Sequence, residues 1–192
     1  MGETIKIVDY DPQWAILYVE EKRRILEVIG HIIVGIEHVG STAVPNLGAE
    51  PIIDIMVAVP HLSDAKKCIE PLRGIGYEYV PEHEASFPEG RFFHKGHFPK
   101  ERHYHLHIVE RTTDFWKEHL VFRDYLRAHP EVAQEYYELK KRLAIKYTSD
   151  HDAYTTAKTP FIESVIAKAK LEKEENSENQ KFDSETPQYK GN

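Results

Sequence analysis

The chain is 192 residues long, from which we expect one domain, or one domain with a short attachment, and no second catalytic domain. Its 41% hydrophobic and 11% aromatic residues are typical of a globular protein with a buried core. The net charge of −7 argues against a nonspecific nucleic-acid binder, which would carry a basic surface, and leaves small anionic ligands open. The one cysteine, Cys68, excludes an internal disulfide and a cysteine-based zinc site. With no apolar run long enough to span a bilayer, we expect a cytoplasmic protein without a membrane partner.

The first half of the chain predicts helices alternating with strands. Apolar residues recur at helical spacing after Asp11-Pro12, which predicts a first helix ending near Gly30. Two β-branched runs, 32–36 and 51–59, predict strands, and the second should be largely buried. A helix shortened by a proline should follow Ser63, and a short strand should cover 77–80. Residues 81–102 are expected to form a long loop or a mobile hairpin.

The second half begins with a strand and is then helical. Apolar residues alternate with His103, His105 and His107 up to residue 109, which predicts a strand with its imidazoles on one face. From Thr113 onward the spacing predicts three helices. The predicted body is therefore an α/β (α+β) domain over residues 1–170, with a small mixed sheet, flanking helices and a C-terminal helical block. Residues 171–192 are rich in Glu, Asn, Ser and Lys, and we expect a disordered acidic tail.

Two neighbouring features suggest a binding site. A Gly40-Ser41 turn after a strand lets the backbone approach a ligand closely and offers a hydroxyl to phosphate oxygens. Asp54, inside an apolar strand, is costly to bury unless a cation or hydrogen-bond donors compensate its charge. Together they are compatible with a phosphate and Mg²⁺ site, or with a loop turn and an aspartate paired to a structural partner.

Several motifs taken together resemble the GrpB family (UPF0157). They are IEHVGSTAVP at 36–45, PIIDI at 51–55, HLH at 105–107 and FRDYLRAHP at 122–130, and the resemblance covers about residues 5–170. That family is similar to nucleotidyltransferases of the polymerase-β type, so the resemblance implies a nucleotidyltransferase-like fold.

The resemblance also implies roles for individual residues. Gly40 and Ser41 match the family's phosphate-holding turn, and the neighbouring His38 and Thr42 are further candidate phosphate contacts. Asp54 matches the first of the metal-binding carboxylates, whereas Met56 stands where the second would project, and His105 and His107 stand where a third is expected. From the helical block, the resemblance implies ligand contacts by Lys140, Tyr154 and Lys158. Glu50 replaces a lysine that is usual in the family and removes a possible phosphate contact.

The leading functional hypothesis is a nucleotidyltransferase-like protein that binds a nucleotide or another small phosphorylated molecule and transfers a nucleotidyl group to an unknown acceptor. Asp54 would bind a divalent metal, Mg²⁺ or Mn²⁺, and His105 or His107 would be a ligand or general base. A first alternative is a non-catalytic phosphate-binding module, which Met56 favours. A second is an enzyme of another kind, in which Asp54, His105 and His107 hold Zn or Fe as a 2-His-1-carboxylate set. The chain has no Gly-x₄-Gly-Lys-Ser/Thr phosphate loop.

Overall fold

The computed structural model describes residues 4–96 and 103–185. Within these ranges the chain forms one five-stranded sheet and five α-helices. The strands are β1 (Gly35–Val39), β2 (Ile52–Val59), β3 (Glu78–Tyr79), β4 (Gly90–Lys95) and β5 (His103–Glu110), and the helices are α1 (Gln13–Ile29), α2 (Ala65–Gly74), α3 (Asp114–Ala128), α4 (Pro130–Tyr147) and α5 (His151–Glu185). The predicted α/β (α+β) front half followed by three helices is confirmed. In the described ranges, no helix combines the length and apolarity needed to cross a membrane.

The sheet is mixed, with the strand order β1-β2-β5-β4-β3. Strand β2 pairs with β1 in antiparallel and with β5 in parallel fashion, whereas β4 is antiparallel to both β5 and β3. The two strands that carry the sequence-predicted site, β2 and β5, are therefore neighbours near the centre of the sheet.

Helices cover both faces of the sheet. On one face, Ile55 and Leu106 are fully buried and belong to the same apolar cluster as Ile25 of α1 and Leu72 of α2. On the other face, Met56 of β2 packs in a cluster with Val109 of β5 and Trp116 of α3. This second face also carries Asp54 and His105, and the helical block lies on the same side.

One predicted strand and one segment predicted as a loop or hairpin differ in detail from the structure. Strand β1 begins at Gly35, three residues later than predicted, because the amides of Ile32 and Ile33 both donate to the Ile29 carbonyl and complete the end of α1. The segment predicted as a long loop or mobile hairpin contains a 3₁₀ turn at Pro81–Ala85 and strand β4, which pairs with β5. Residues 97–102 of that segment lie outside the described residues.

Helix α5 continues beyond the predicted body. It runs to Glu185, whereas the sequence predicts disorder after Leu171. The chain has neither glycine nor proline between Pro160 and Pro187, and Glu and Lys are good helix formers, so the helix can continue although the side chains of 171–176 are exposed. Residues 186–192 lie outside the described residues, and the division into a body and a tail at residue 170 stays a prediction.

Candidate functional site

The parallel pairing of β2 with β5 brings together two stretches that lie far apart in the sequence. Asp54 lies opposite His105, and Met56 lies opposite His107. Since side chains alternate along a strand, all four residues belong to the same face of the sheet. The fold thus places the aspartate and one of the predicted histidines side by side.

Asp54 and His105 contact each other at the edge of a cavity. The Nδ1 atom of His105 lies 3.4 Å from Oδ1 of Asp54, and both side chains are about one-third exposed. Burial alone would raise the pKa of Asp54, but the hydrogen bond with His105 and the nearby imidazoles of His107 and His38 hold this pKa below its usual value. Asp54 is therefore a carboxylate at neutral pH.

Gly40 fixes the loop against Asp54. Its φ of 71° lies in the left-handed region, and a Cβ atom at this position would stand 2.3 Å from Oδ2 of Asp54. A larger residue would have to push the carboxylate away. This close approach explains why glycine precedes the 3₁₀ turn Ser41–Ala43, whose first two side chains line the cavity.

His38 holds the Ser41 loop through a hydrogen bond to Thr42. The Thr42 hydroxyl donates to the Ile52 carbonyl at 3.0 Å, so its oxygen accepts from Nε2 of His38 at 3.1 Å. The His38 ring is buried and stacks on Tyr18 at 4.6 Å, and burial lowers the pKa of His38 to about 4. His38, predicted as a phosphate contact, is thus a neutral donor to Thr42 and is not among the residues that line the cavity.

Two arginines of α3 bind the backbone of the same loop. Arg127 donates from Nε and Nη2 to the Ala43 carbonyl at 2.9 and 2.8 Å. Arg123 donates to the His38 carbonyl at 2.9 Å and pairs with Glu37 at 2.7 Å. Both arginines thus hold the loop in place.

A cavity of about 780 Å³ lies between the loop, the ends of β2 and β5, and the helical block. Most of the predicted site residues line it: Ser41, Thr42, Asp54, His105, Lys140, Tyr154 and Lys158. Gly40 contacts Asp54 from outside this lining. The Ser41 side chain lies beside the buried Tyr136 phenol and partly opposes the rise in the pKa of Tyr136 that burial causes, so α4 borders the loop here.

The helical block brings two lysines to the cavity. Lys140 is only 3% exposed and donates from Nζ to the Gly48 carbonyl at 2.6 Å. Burial, together with repulsion from Lys158, lowers the pKa of Lys140 to about 7, and burial also lowers the pKa of Lys158. The Lys158 ammonium lies 4.1 Å from the centre of the Tyr154 ring. Glu50 partly offsets both positive charges.

His107 is separated from the cavity, although it was predicted to act with His105. Its ring lies 5.0 to 5.8 Å from the rings of Phe87, Phe92 and Phe115, and its Nδ1 atom is buried without a hydrogen-bond partner. Burial lowers the pKa of His107 to about 3, so this imidazole is neutral. Along β5, His107 lies on the part of the sheet face that packs in the apolar cluster around Met56. His105 lies two residues nearer the end of the strand that borders the cavity.

The described residues do not fit a two-metal site. Within them, no group of three His, Cys, Asp or Glu side chains is arranged to hold a metal ion. Met56, in the place of a second carboxylate, is fully buried in an apolar cluster. Mg²⁺ needs several oxygen ligands, and Asp54 alone supplies few. A divalent metal at Asp54, His105 and His107 stays a prediction.

The structure adds residues that the sequence did not single out. His83 and Ser86, near the 3₁₀ turn before β4, line the cavity, as do Asp152, Thr155 and Thr156 at the start of α5. The Tyr-Thr-Thr-Ala-Lys stretch at 154–158 could have indicated this surface, because it places polar groups on consecutive positions of a helix. No comparable pattern marked His83.

The family model described as "GrpB protein" matches residues 4–168. The chain belongs to the GrpB family. It is 38% identical over 173 residues to the glutamate-rich protein GrpB of Alkalihalophilus pseudofirmus, covering 86% of this chain and 95% of that protein. The crystal structure of GrpB from Enterococcus faecalis superposes with a TM-score of 0.76 at 34% identity, covering 85% of this chain and 96% of that one.

Other relatives of this GrpB family member are longer. UPF0157 protein YqkA of Bacillus subtilis is 37% identical over 166 residues, covering 86% of this chain but 47% of that protein. A dephospho-CoA kinase of Mycolicibacterium paratuberculosis is 28% identical over 187 residues, covering 86% of this chain and 46% of the kinase. The chain thus spans about half the length of these two relatives.

Proposed function

We propose that this GrpB family member binds a nucleotide or another small phosphorylated molecule in the cavity, with phosphate between the Ser41 loop and the two lysines. The observation that carries the proposal is a pair of lysines that face the same cavity, Lys140 with its ammonium group buried and Lys158 half-buried. Each group repels the other and has lost hydration, so the site favours an anion.

A phosphate group would relieve this cost. Its negative charge would interact with both lysines, and its oxygens would accept hydrogen bonds from the ammonium groups and from Ser41. Glu50 and Asp54 offset part of the positive charge, which keeps the lysines buried when no ligand is bound. The same carboxylates disfavour anions that approach them directly, so phosphate should lie on the lysine side of the cavity.

Isothermal titration calorimetry with inorganic phosphate, AMP and ATP tests the proposal. Replacing Lys158 by Ala should weaken binding about 10- to 100-fold, since a charge-assisted hydrogen bond contributes about 1.5–3 kcal/mol. The control is Lys141→Ala: this neighbour of Lys140 is half-exposed and pairs with Glu138 at 2.7 Å. Binding should also take up protons near pH 8, because phosphate raises the pKa of Lys140 from about 7, and two buffers of different ionisation heat will show this uptake. Equal affinities of Lys158→Ala and wild type would contradict the proposal.

The similarity to a dephospho-CoA kinase adds one ligand to the titration. That relative's name states that it acts on dephospho-CoA, a phosphorylated molecule, and this chain matches about half of it. The chain lacks the phosphate loop of P-loop kinases, so we propose no phosphorylation of dephospho-CoA, which serves in the titration as a phosphorylated ligand that carries an adenine base. Titration of dephospho-CoA beside AMP separates a general phosphate site from one that prefers this ligand.

Nucleotidyl transfer to an acceptor is a second candidate, favoured by the Asp54–His105 pair. Because Nδ1 of His105 faces Asp54, the other ring nitrogen, Nε2, would take the proton of an attacking hydroxyl while the carboxylate stabilises the imidazolium. Incubation with each nucleotide and Mg²⁺ or Mn²⁺, followed by mass spectrometry for pyrophosphate and for a nucleotidylated product, tests it. If wild type and Asp54→Asn form equally little product while phosphate still binds, the chain is a non-catalytic phosphate-binding module.

A further inference from the structure

The walls of the cavity differ from those of a nucleobase pocket. Hydroxyl groups come from Ser86, Thr155 and Thr156 in addition to the Ser41 loop, and carboxylates come from Asp54 and Asp152. A carboxylate only accepts hydrogen bonds, whereas a hydroxyl both donates and accepts. Such a lining is complementary to a ligand that itself carries several hydroxyl groups.

The aromatic rings near the cavity have their faces covered. The Tyr154 ring is 1% exposed and carries the Lys158 ammonium on its face. The Tyr136 ring stacks on Phe161 at 5.2 Å, and Lys140 lies 4.9 Å from its centre. Nucleobases are usually held by stacking on an aromatic side chain, so among the residues that the structure describes these rings offer no platform for a base.

Phe92, close to the strand end of the cavity, is also engaged. His83 stacks on it at 4.7 Å with the two rings 12° from parallel, and His105 and His107 contact it at 5.2 and 5.0 Å. The imidazoles thus cover this ring from several sides.

The charges of the cavity also argue against a nucleoside triphosphate. The carboxylates of Glu50, Asp54 and Asp152 oppose the two lysines, which suits one phosphate group better than a triphosphate.

We propose that the part of the ligand beyond its phosphate is a small polyol, as in a sugar phosphate, and not a nucleobase. This inference rests on the proposed phosphate site. In it, the phosphate lies at Lys140 and Lys158, and ligand hydroxyls donate to Asp54 and exchange hydrogen bonds with the hydroxyls at the start of α5. A site built to bind hydroxyl groups rejects ligands that leave its polar groups unpaired.

Calorimetric titration of three ligands with the full chain tests the inference. The ligands are inorganic phosphate, ribose 5-phosphate and AMP, which successively add a polyol and then a base to the same phosphate. We expect ribose 5-phosphate to bind at least about tenfold more tightly than phosphate, since each hydrogen bond to a charged group contributes about 1.5–3 kcal/mol. We expect AMP to bind no more tightly than ribose 5-phosphate.

The outcomes separate this inference from the proposed function. If AMP binds more tightly than ribose 5-phosphate by about threefold or more, or if ribose 5-phosphate gains less than about threefold over phosphate, the polyol inference is wrong and the phosphate site stands. If none of the three binds, the phosphate site itself is wrong.

A variant pair gives an independent measure. Asp54→Asn should weaken ribose 5-phosphate about tenfold and leave inorganic phosphate unchanged or slightly tighter, because the carboxylate accepts hydrogen bonds only from the polyol. The matched control, Asp114→Asn, changes a carboxylate that is 88% exposed on the first turn of α3 and should alter neither affinity. An equal change of both affinities in Asp54→Asn would overturn the proposed contact and the inference with it.

Discussion

Replacing Lys140 by Met should alter the pH dependence of stability in a way that replacing its neighbour does not. Lys140 is 3% exposed, and burial lowers its pKa from 10.5 to about 7 in the folded chain. The unfolded chain therefore binds more protons than the folded chain between these values, and the free energy of unfolding rises with pH across this window. Methionine has a similar length and no charge, so it removes this contribution.

The size of the effect follows from the two pKa values. Each pKa unit corresponds to about 1.4 kcal/mol. Below the folded pKa, where Lys140 is protonated in both states, it therefore lowers the free energy of unfolding by roughly 5 kcal/mol, and above the unfolded pKa it lowers it by nothing. Between pH 7 and pH 9 wild type should gain about 2 kcal/mol from this group alone. The variant Lys140→Met lacks this gain and also leaves the Gly48 carbonyl without its donor, which costs about 1–3 kcal/mol at every pH.

Urea unfolding at pH 7 and pH 9, followed by circular dichroism, measures the difference. The expected result is a smaller gain in Lys140→Met than in wild type, by about 2 kcal/mol, whereas Lys141→Met should keep the wild-type gain. Equal gains in wild type and Lys140→Met would show that Lys140 is not held deprotonated by its surroundings, and the argument for an anion site would lose its main support. Saturating phosphate should flatten the wild-type curve, because an anion beside Lys140 raises its pKa.

Three further substitutions test how the loop is built. Gly40→Ala should destabilise the chain by about 2 kcal/mol or more, because it places a Cβ atom at a positive φ against Asp54. The control is Gly74→Ala, which has open space around it and should be neutral or slightly stabilising in the same urea assay. In wild type, the pKa of His38 is about 4 in the folded chain and 6.5 in the unfolded chain, so the unfolded chain binds more protons as the pH falls from 7 to 5 and the free energy of unfolding decreases. The variant His38→Gln lacks this group, and its free energy of unfolding should therefore fall by about 2 kcal/mol less over the same pH range. Thr42→Val should cost about 2 kcal/mol by leaving two buried polar groups unpaired, whereas Thr42→Ser keeps both hydrogen bonds and should stay near wild type.

The elements with strong periodicity could be predicted from the sequence. In β5, Leu106 and Ile108 alternate with histidines, which predicted the strand, and in the structure both are fully buried in the core. The three C-terminal helices also follow their apolar spacing. The start of β1 could not be located in this way, because Ile32 and Ile33 have strand propensity but complete the hydrogen bonds of the preceding helix.

The family resemblance, and not the spacing, indicated the lysines of the cavity. Lys140 and Lys158 lie on different helices, and each has a tyrosine four residues before it, a pattern that is equally typical of a solvated helix face. Whether such a face points to solvent or to a cavity depends on how α4 and α5 pack against the Ser41 loop. That packing uses contacts distant in sequence, such as the hydrogen bond from Lys140 to the Gly48 carbonyl, which local periodicity does not contain.

The contrast between His105 and His107 shows how far alternation alone can predict a site. Both imidazoles belong to the same face of β5, so the sequence treats them alike. In the structure they lie opposite Asp54 and Met56, and these two neighbours determine their surroundings. Beside a carboxylate, His105 keeps a polar contact and an opening to the cavity, whereas beside a buried methionine His107 becomes a neutral ring among phenylalanines. Because Met56 is the cross-strand neighbour of His107, one of the two histidines is withdrawn from the cavity, and the Asp54–His105 pair and the two lysines remain as its chemistry.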